Sequence, residues 1–263
     1  MSILICPFCA TPLRREGTSL YCGAERPHCF DIAKSGYVTL TRAAGTAGDD
    51  RDMVRARTAF LDAGHYQPFA MAVCEELCGC DTVIDAGCGE GYYSNLIAQD
   101  GHNVYGFDLS KHACDKAAKR AKTAGGGAFF GVSSVVSLPV ADESADAVVS
   151  LFAPIAEREF LRVLKPGGLL IIGGAGQKHL LELKKAVYST AYENEGRRDL
   201  PSEFSFVHKK NVTYTFTCED VKSLFMMTPY AFKTSPTDAA KLDNIEKLDI
   251  TADFDIFVYK KTV

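Results

Sequence analysis

The chain has 263 residues, 47% of them hydrophobic and 24% charged, with a net charge of −4 at pH 7. That length allows one large domain with a small appendage, and ample material to bury a core. No run of about 18 apolar residues exists to span a membrane, and no global basic excess advertises binding to nucleic acid through its phosphates.

The start, Met1-Ser2-Ile3-Leu4-Ile5-Cys6-Pro7, has neither a basic region nor a long apolar run, so no secretory signal is expected. The ten cysteines therefore read as reduced thiols with a metal site among them, and a cytoplasmic location is expected. Residues 1–35 are loop-rich and carry four cysteines: Cys6-Pro7-Phe8-Cys9, then Cys22 and Cys29, with His28 beside the last. Two thiolates on a C-x-x-C turn, followed at hairpin distance by two more N or S donors, make a tetrahedral zinc site. Cys6, Cys9 and Cys22 supply three ligands; the fourth is His28 or Cys29, since neighbouring residues do not easily both bind. Four protein ligands leave no position for water, so the zinc is structural. Its binding would supply folding energy on the order of 10 kcal/mol to a segment with little core of its own.

Thr41 to Asp50 is small and polar and reads as a flexible connection. From Asp52 to Ala63, Met53, Ala56, Phe60 and Ala63 share a helical face, and Gly64 can close the helix. A second helix runs from about Pro68 to Cys78, with its proline in the first turn. The expected division is a zinc-binding ribbon at 1–35, a linker and helix at 36–67, and the main domain at 68–263. From Thr82 onward strands alternate with helices, at 82–85, 104–108, 128–132, 146–151, 168–173, 211–217 and 253–260. Such alternation predicts an α/β domain with a parallel, helix-flanked sheet. The last two strands, separated by a helix near 218–227, suit an antiparallel pair.

The most informative run is Val83-Ile84-Asp85-Ala86-Gly87-Cys88-Gly89-Glu90-Gly91. A short apolar strand ends in an acid, and glycines follow at every second position. Without Cβ atoms the backbone can turn sharply and come close to a nucleotide-like ligand. A dinucleotide fingerprint needs its third glycine one place later, at Tyr92. The spacing D-x-G-x-G-x-G instead resembles the first motif of class I S-adenosylmethionine-dependent methyltransferases. That resemblance implies a Rossmann-like, mostly parallel seven-stranded sheet, with Asp85, Gly87 and Gly89 at the cofactor. Asp108 ends the next strand, where a carboxylate can accept from both ribose hydroxyls of an adenosine. Lys165-Pro166-Gly167-Gly168 is a turn often seen before the fifth strand of such enzymes. Leu151-Phe152-Ala153-Pro154 follows the fourth strand in place of the Asn/Asp-Pro-Pro-Tyr/Phe motif of exocyclic-amine methyltransferases, so a base amino group is not the expected target. Asp142 and Asp146 flank that strand and receive no role.

Longer strings carry a closer likeness: Phe30-Asp31-Ile32-Ala33-Lys34-Ser35-Gly36-Tyr37-Val38, Arg57-Thr58-Ala59-Phe60-Leu61-Asp62-Ala63-Gly64-His65-Tyr66-Gln67-Pro68, Lys178-His179-Leu180-Leu181-Glu182-Leu183-Lys184 and Met227-Thr228-Pro229-Tyr230-Ala231-Phe232. With the zinc ribbon and the glycine motif, they resemble the bacterial 23S ribosomal RNA (guanine-N1)-methyltransferases, the tylosin-resistance-related group, nearly end to end. The resemblance implies methyl transfer from S-adenosylmethionine to N1 of a guanine in an rRNA hairpin loop, a structural zinc on Cys6, Cys9, Cys22 and His28, and a homodimer. The Cys22–His28 spacer is longer than the family's, which keeps Cys29 in contention. It also implies cofactor contacts at Tyr66, Gly89, Glu90 and His179; from the residues alone, Tyr66 reads as packing and His179 as a surface histidine. Arg14, Arg15, Arg26 and Lys34 are candidates to grip the RNA. No general base is assigned. Two other readings stand beside this one: a methyltransferase of small molecules, for which a zinc ribbon has no purpose, and a non-catalytic zinc-bearing RNA-binding adaptor, which would not need its glycines intact.

Overall fold

Three short strands, β1 (Leu13–Glu16), β2 (Ser19–Cys22) and β3 (Cys29–Asp31), form a small antiparallel sheet in that order. Gly17, at φ +60°, turns the chain between β1 and β2, a conformation that costs glycine little. The computed structural model describes residues 2–41, 48–188, 200–228, 231 and 233–262. Most of the expected flexible connection, residues 42–47, lies outside the described residues, as do Pro229, Tyr230 and Phe232 of the last string.

Beyond this module come β4 (Val38–Thr39), α1 (Arg51–Asp62), α2 (Gln67–Glu75), β5 (Thr82–Ala86), α3 (Tyr92–Gln99), β6 (Asn103–Asp108), α4 (Lys111–Thr123) and β7 (Ala128–Val132). They are followed by β8 (Ala145–Leu151), α5 (Glu157–Val163), β9 (Leu164–Ala175), α6 (Leu181–Val187), β10 (Phe204–Cys218), α7 (Val221–Met226), α8 (Pro236–Ala239) and β11 (Leu248–Lys261). Local chemistry sets several boundaries. Asp50 accepts from the Met53 N–H at 2.9 Å to cap α1, and Ser110 accepts from the Ala113 N–H at 3.1 Å to cap α4; each satisfies an orphan donor of a first turn.

The large sheet has the order β10-β11-β9-β8-β5-β6-β7-β4. Its ladders are parallel except at one edge, where β11 runs antiparallel to β9 and β10 antiparallel to β11. The seven expected strands are all present, and β4 adds an eighth from the stretch read as linker. Two residues are too few to show a strand period, yet Val38 is buried and pairs with Gly131, and the Leu40 N–H bonds the Val132 carbonyl at 2.9 Å. β10 starts at Phe204, seven residues ahead of its expected start at 211, and pairs with β11 along its length.

Val83 and Ile84 are consecutive on β5 and both fully buried, each in a different apolar cluster. Successive strand residues face opposite ways, so both faces of this central strand are covered. The cluster around Ile84 runs on into Leu4, Leu13, Leu20 and Phe30 of the small module. Backbone bonds from Ile5 N–H to the Pro139 carbonyl and from Ala141 N–H to the Ile3 carbonyl, both 2.9 Å, tie the two together. β5 is flanked by β6 on one side and β8 on the other. The chain leaves it first toward β7 and later toward β9, and the crevice beyond the carboxyl ends of such a pair is where open α/β sheets bind ligands.

Candidate functional site

Cys6, Cys9, Cys22 and His28 present ligand atoms that all lie within 4.8 Å of one another, a metal-ligating group among the described residues. His28 Nδ1 is 3.5 Å from Cys6 Sγ, 3.7 Å from Cys9 Sγ and 3.4 Å from Cys22 Sγ, and Cys9 Sγ is 3.6 Å from Cys22 Sγ. A zinc tetrahedron with Zn–S of about 2.3 Å has edges of roughly 3.8 Å, slightly shorter where nitrogen replaces sulfur. The donor set therefore fits zinc. Backbone N–H groups of Phe8 and His28 point at Cys6 Sγ (3.4 Å) and Cys22 Sγ (3.0 Å) and would support thiolate charge. Cys29 is exposed, with its sulfur 3.9 Å from Asp31 Oδ1, outside the group. His28 precedes β3 and Cys29 opens it; only His28 turns its side chain to the three sulfurs.

The second site is a cavity of about 550 Å³ at the carboxyl ends of β5, β6 and β8, within the roughly 300–1,000 Å³ usual for small-molecule sites. Tyr66, Asp85, Gly87, Gly89, Glu90, Asp108 and His179, the residues expected at the cofactor, all line it. The glycines serve different purposes. A Cβ on Gly87 would lie 2.4 Å from Ala153 Cβ, and one on Gly91 2.6 Å from Ala117 Cβ, so these two are demanded by the fold. A Cβ on Gly89 would meet nothing closer than Arg57 Nη1 at 3.8 Å and would occupy the cavity itself.

Asp108 accepts from the Gly89 N–H at 3.0 Å through Oδ2 and from the Ser110 N–H at 2.7 Å through Oδ1. Each carboxylate oxygen keeps a lone pair for a ribose hydroxyl. Burial raises its pKa against the pull of those two donors. Burial also pushes Asp85 up to about 7, opposed by a 2.5 Å bond from Ser94 Oγ and reinforced by the charge of Asp108. Glu90, nearly inaccessible, takes Arg120 Nη2 at 2.5 Å and Thr58 Oγ1 at 3.1 Å on Oε2, while its buried Oε1 has no partner among the described residues. An orphan acceptor on the wall of a cavity suits a donor group of a ligand. Burial raises the Glu90 pKa, and Arg120 opposes the rise. His179, on the turn before α6, is buried and its pKa falls to about 4, chiefly through burial. The neutral ring accepts from the Asp253 N–H at Nδ1 (3.3 Å), so Nε2 carries the hydrogen and donates to Tyr66 Oη at 3.2 Å.

The comparisons with known proteins agree with this geometry. Residues 4–42 match the model for the RlmA N-terminal zinc ribbon and residues 84–172 the model for a methyltransferase domain. The chain is 32% identical to the 23S rRNA (guanine(748)-N(1))-methyltransferase of Streptomyces fradiae, across 96% of this chain and 95% of the relative. It belongs to the 23S rRNA (guanine-N1)-methyltransferase family. A putative 23S rRNA (guanine-N1)-methyltransferase of Bacillus subtilis, YxjB, is 28% identical over 99% of this chain and 98% of its own length. Among solved structures, a putative methyltransferase from Bacillus halodurans (16% identity) superposes with a TM-score of 0.50 over 73% of this chain and 98% of its own, which speaks to the fold alone.

As a family member the protein is an S-adenosylmethionine-dependent methyltransferase with a structural zinc ribbon. The cavity also holds residues that no motif marks. Asp49 and Arg57, an ion pair, line it with Met53, so α1 and the residues before it form one of its walls. Nothing in the sequence spacing of Arg57 marks it as a ligand. Phe152 and Pro154 line the cavity as well, in a tetrapeptide noted only for a motif it lacks. Asp142 and Asp146 lie away from it: each pairs with a cation, Arg162 and Lys165, at 2.6 Å.

Proposed function

We propose that this protein methylates N1 of a guanine in a hairpin loop of 23S rRNA, with Tyr66, Asp85, Gly87, Gly89, Glu90, Asp108 and His179 holding S-adenosylmethionine and Cys6, Cys9, Cys22 and His28 holding zinc. The observation that carries the reading is the convergence of residues from Tyr66 to His179 on one cavity at the strand tips. Asp108 would bind the ribose, and the turn at Gly89 brings bare backbone against the donor. The neutral His179 orients Tyr66 through a bond whose hydrogen is fixed by the Asp253 N–H. When bound, S-adenosylmethionine would supply the electrophilic methyl group to guanine N1 and leave as S-adenosylhomocysteine, the N1 proton passing to water. Guanine N1 lies on the Watson–Crick edge, so the base has to be unpaired and extruded to reach the cavity, and much of the acceleration then comes from positioning.

Binding of the hairpin is assigned to the ribbon side. Arg15 and Lys34 line a second cleft, of about 570 Å³, together with Lys122 and with no carboxylate among its lining residues. Arg14 and Arg26 lie outside that lining. The cleft meets β6 at Asn103–Tyr105, the end opposite Asp108, so a hairpin touching both would span roughly 17 Å at about 3.3 Å per residue. Replacing Arg15 and Lys34 together should weaken RNA binding and leave cofactor affinity intact. The division into a ribbon (1–35), a linker and helix (36–67) and a catalytic domain (68–263), a cytoplasmic site of action and the dimer implied by the family likeness belong to the same proposal. No helix among the described residues is long and apolar enough to cross a membrane.

Primer extension on rRNA from cells with and without the gene tests the function, because N1-methylguanine blocks pairing. A reverse-transcriptase stop in the 23S hairpin that vanishes with the gene is expected; identical traces would remove the proposal, and a mass measurement in solution decides the dimer.

A further inference from the structure

Phe152 is the first residue past β8, and its side chain lines the donor cavity. Its φ is +55°, a left-handed backbone that bulky residues adopt only at a cost and that is retained mainly where function requires it. Neighbours hold it there. The Phe152 N–H bonds the Gly173 carbonyl at 2.9 Å, and the next residue, Ala153, sits where a Cβ on Gly87 would be, 2.4 Å away. The loop is therefore seated on the glycine turn and cannot relax without moving the cofactor site.

Its ring centroid is 5.6 Å from Phe69, 5.9 Å from Phe254, 6.4 Å from Tyr93 and 6.5 Å from Tyr66. Phe69, Phe254 and Tyr66 are buried, at 0%, 0% and 3% exposure, while Phe152 remains 50% exposed. A half-exposed phenylalanine that lines the cavity beside an aromatic cluster, held in an unfavourable backbone, suits an aromatic ligand. The other side chains of Leu151-Phe152-Ala153-Pro154 offer no hydrogen-bonding group. Recognition by this loop therefore has to use stacking and main-chain atoms.

We propose that Phe152 is the stacking platform for the extruded target guanine, holding its Watson–Crick edge toward the methyl donor. The inference rests on the reading of the chain as an rRNA (guanine-N1)-methyltransferase and adds a substrate contact to it.

The test uses the full-length zinc-loaded protein, labelled S-adenosylmethionine and an RNA hairpin copied from 23S rRNA. Phe152→Leu should lower kcat/KM for RNA by about 5- to 150-fold, the range that loss of base–aromatic stacking gives, with unchanged cofactor affinity by calorimetry. Phe152→Tyr, which keeps the π-face, should restore most of the activity. Phe152→Asn guards against misfolding, since asparagine tolerates the left-handed region, and should be folded and impaired like the leucine variant. Wild-type RNA kinetics in Phe152→Leu would overturn the inference while leaving the wild-type function standing. Equal loss of cofactor and RNA affinity would also overturn it, because it would mark Phe152 as a prop of the cavity. A wild type that does not methylate the hairpin overturns both this inference and the function it rests on.

Discussion

The three glycines of the turn after β5, proposed to hold the methyl donor, should separate experimentally into fold and function. In Gly91→Ala the new Cβ would sit 2.6 Å from Ala117 Cβ and 2.9 Å from Ala117 Cα, on the backbone of α4 that cannot give way cheaply, at φ +78°. The left-handed strain costs roughly 1–2 kcal/mol and the overpacking about 1–3 kcal/mol more. A loss of about 2–5 kcal/mol corresponds to a Tm lower by roughly 5–20 °C in a chain of this size. Gly89→Ala at φ +53° has nothing within 3.8 Å, so only the strain of roughly 1–2 kcal/mol applies. Its Cβ, however, would occupy the space assigned to the donor, and a clash there should weaken binding by about 5- to 150-fold, the equivalent of roughly 1–3 kcal/mol. Thermal melts of the apo proteins and calorimetry with S-adenosylmethionine read the two effects separately. A Gly89→Ala protein that melts as low as Gly91→Ala and binds the cofactor normally would refute this division.

Other consequences follow from the same site. Cys29→Ser should retain one zinc per chain by elemental analysis, whereas His28→Ala should lose metal or hold it far more weakly; equal retention in both would contradict the assignment of His28. Asp85, pushed up to about 7 by burial, is more readily protonated in the folded than in the unfolded protein. It therefore contributes stability below the unfolded value of 3.8 that is lost as pH rises through about 7, and Asp85→Asn should flatten that loss in melts recorded at pH 5 to 8.5. If the ionised carboxylate is what meets the donor, affinity should climb about tenfold between pH 6 and 8, as the ionised fraction rises from roughly a tenth to nine-tenths, and a flat profile would exclude that role. Arg120→Met leaves Glu90 buried without its cation and should cost about 3–5 kcal/mol; denaturant midpoints check this, and a neutral result would mean that Glu90 is already protonated.

The chain's order of letters was enough for the chemistry that is local. Cys6-Pro7-Phe8-Cys9 reads as a tight turn, and Asp85-Ala86-Gly87-Cys88-Gly89 as a strand ending in a bare backbone bend, so both turns were readable without coordinates. Alternating apolar runs likewise gave the strands of the large sheet, because β period and helix period differ over such lengths. Choosing between His28 and Cys29 required three dimensions: both residue types can bind zinc, and only the folded loop ahead of β3 brings His28 to the three sulfurs while leaving Cys29 exposed. Tyr66 and His179 are 113 residues apart, and only the packing of α2 against β11 and the turn before α6 makes them partners. β4 is too short to have a period and exists because β7 offers it an edge. The half-exposure of Phe152 is likewise a property of its surroundings, since a phenylalanine after an apolar strand reads as core until the neighbouring rings are seen to fill that core without it. Contacts close in sequence are dictated by the backbone they share, while contacts far apart depend on which way a whole sheet is wound, and that is settled by the sum of its packing.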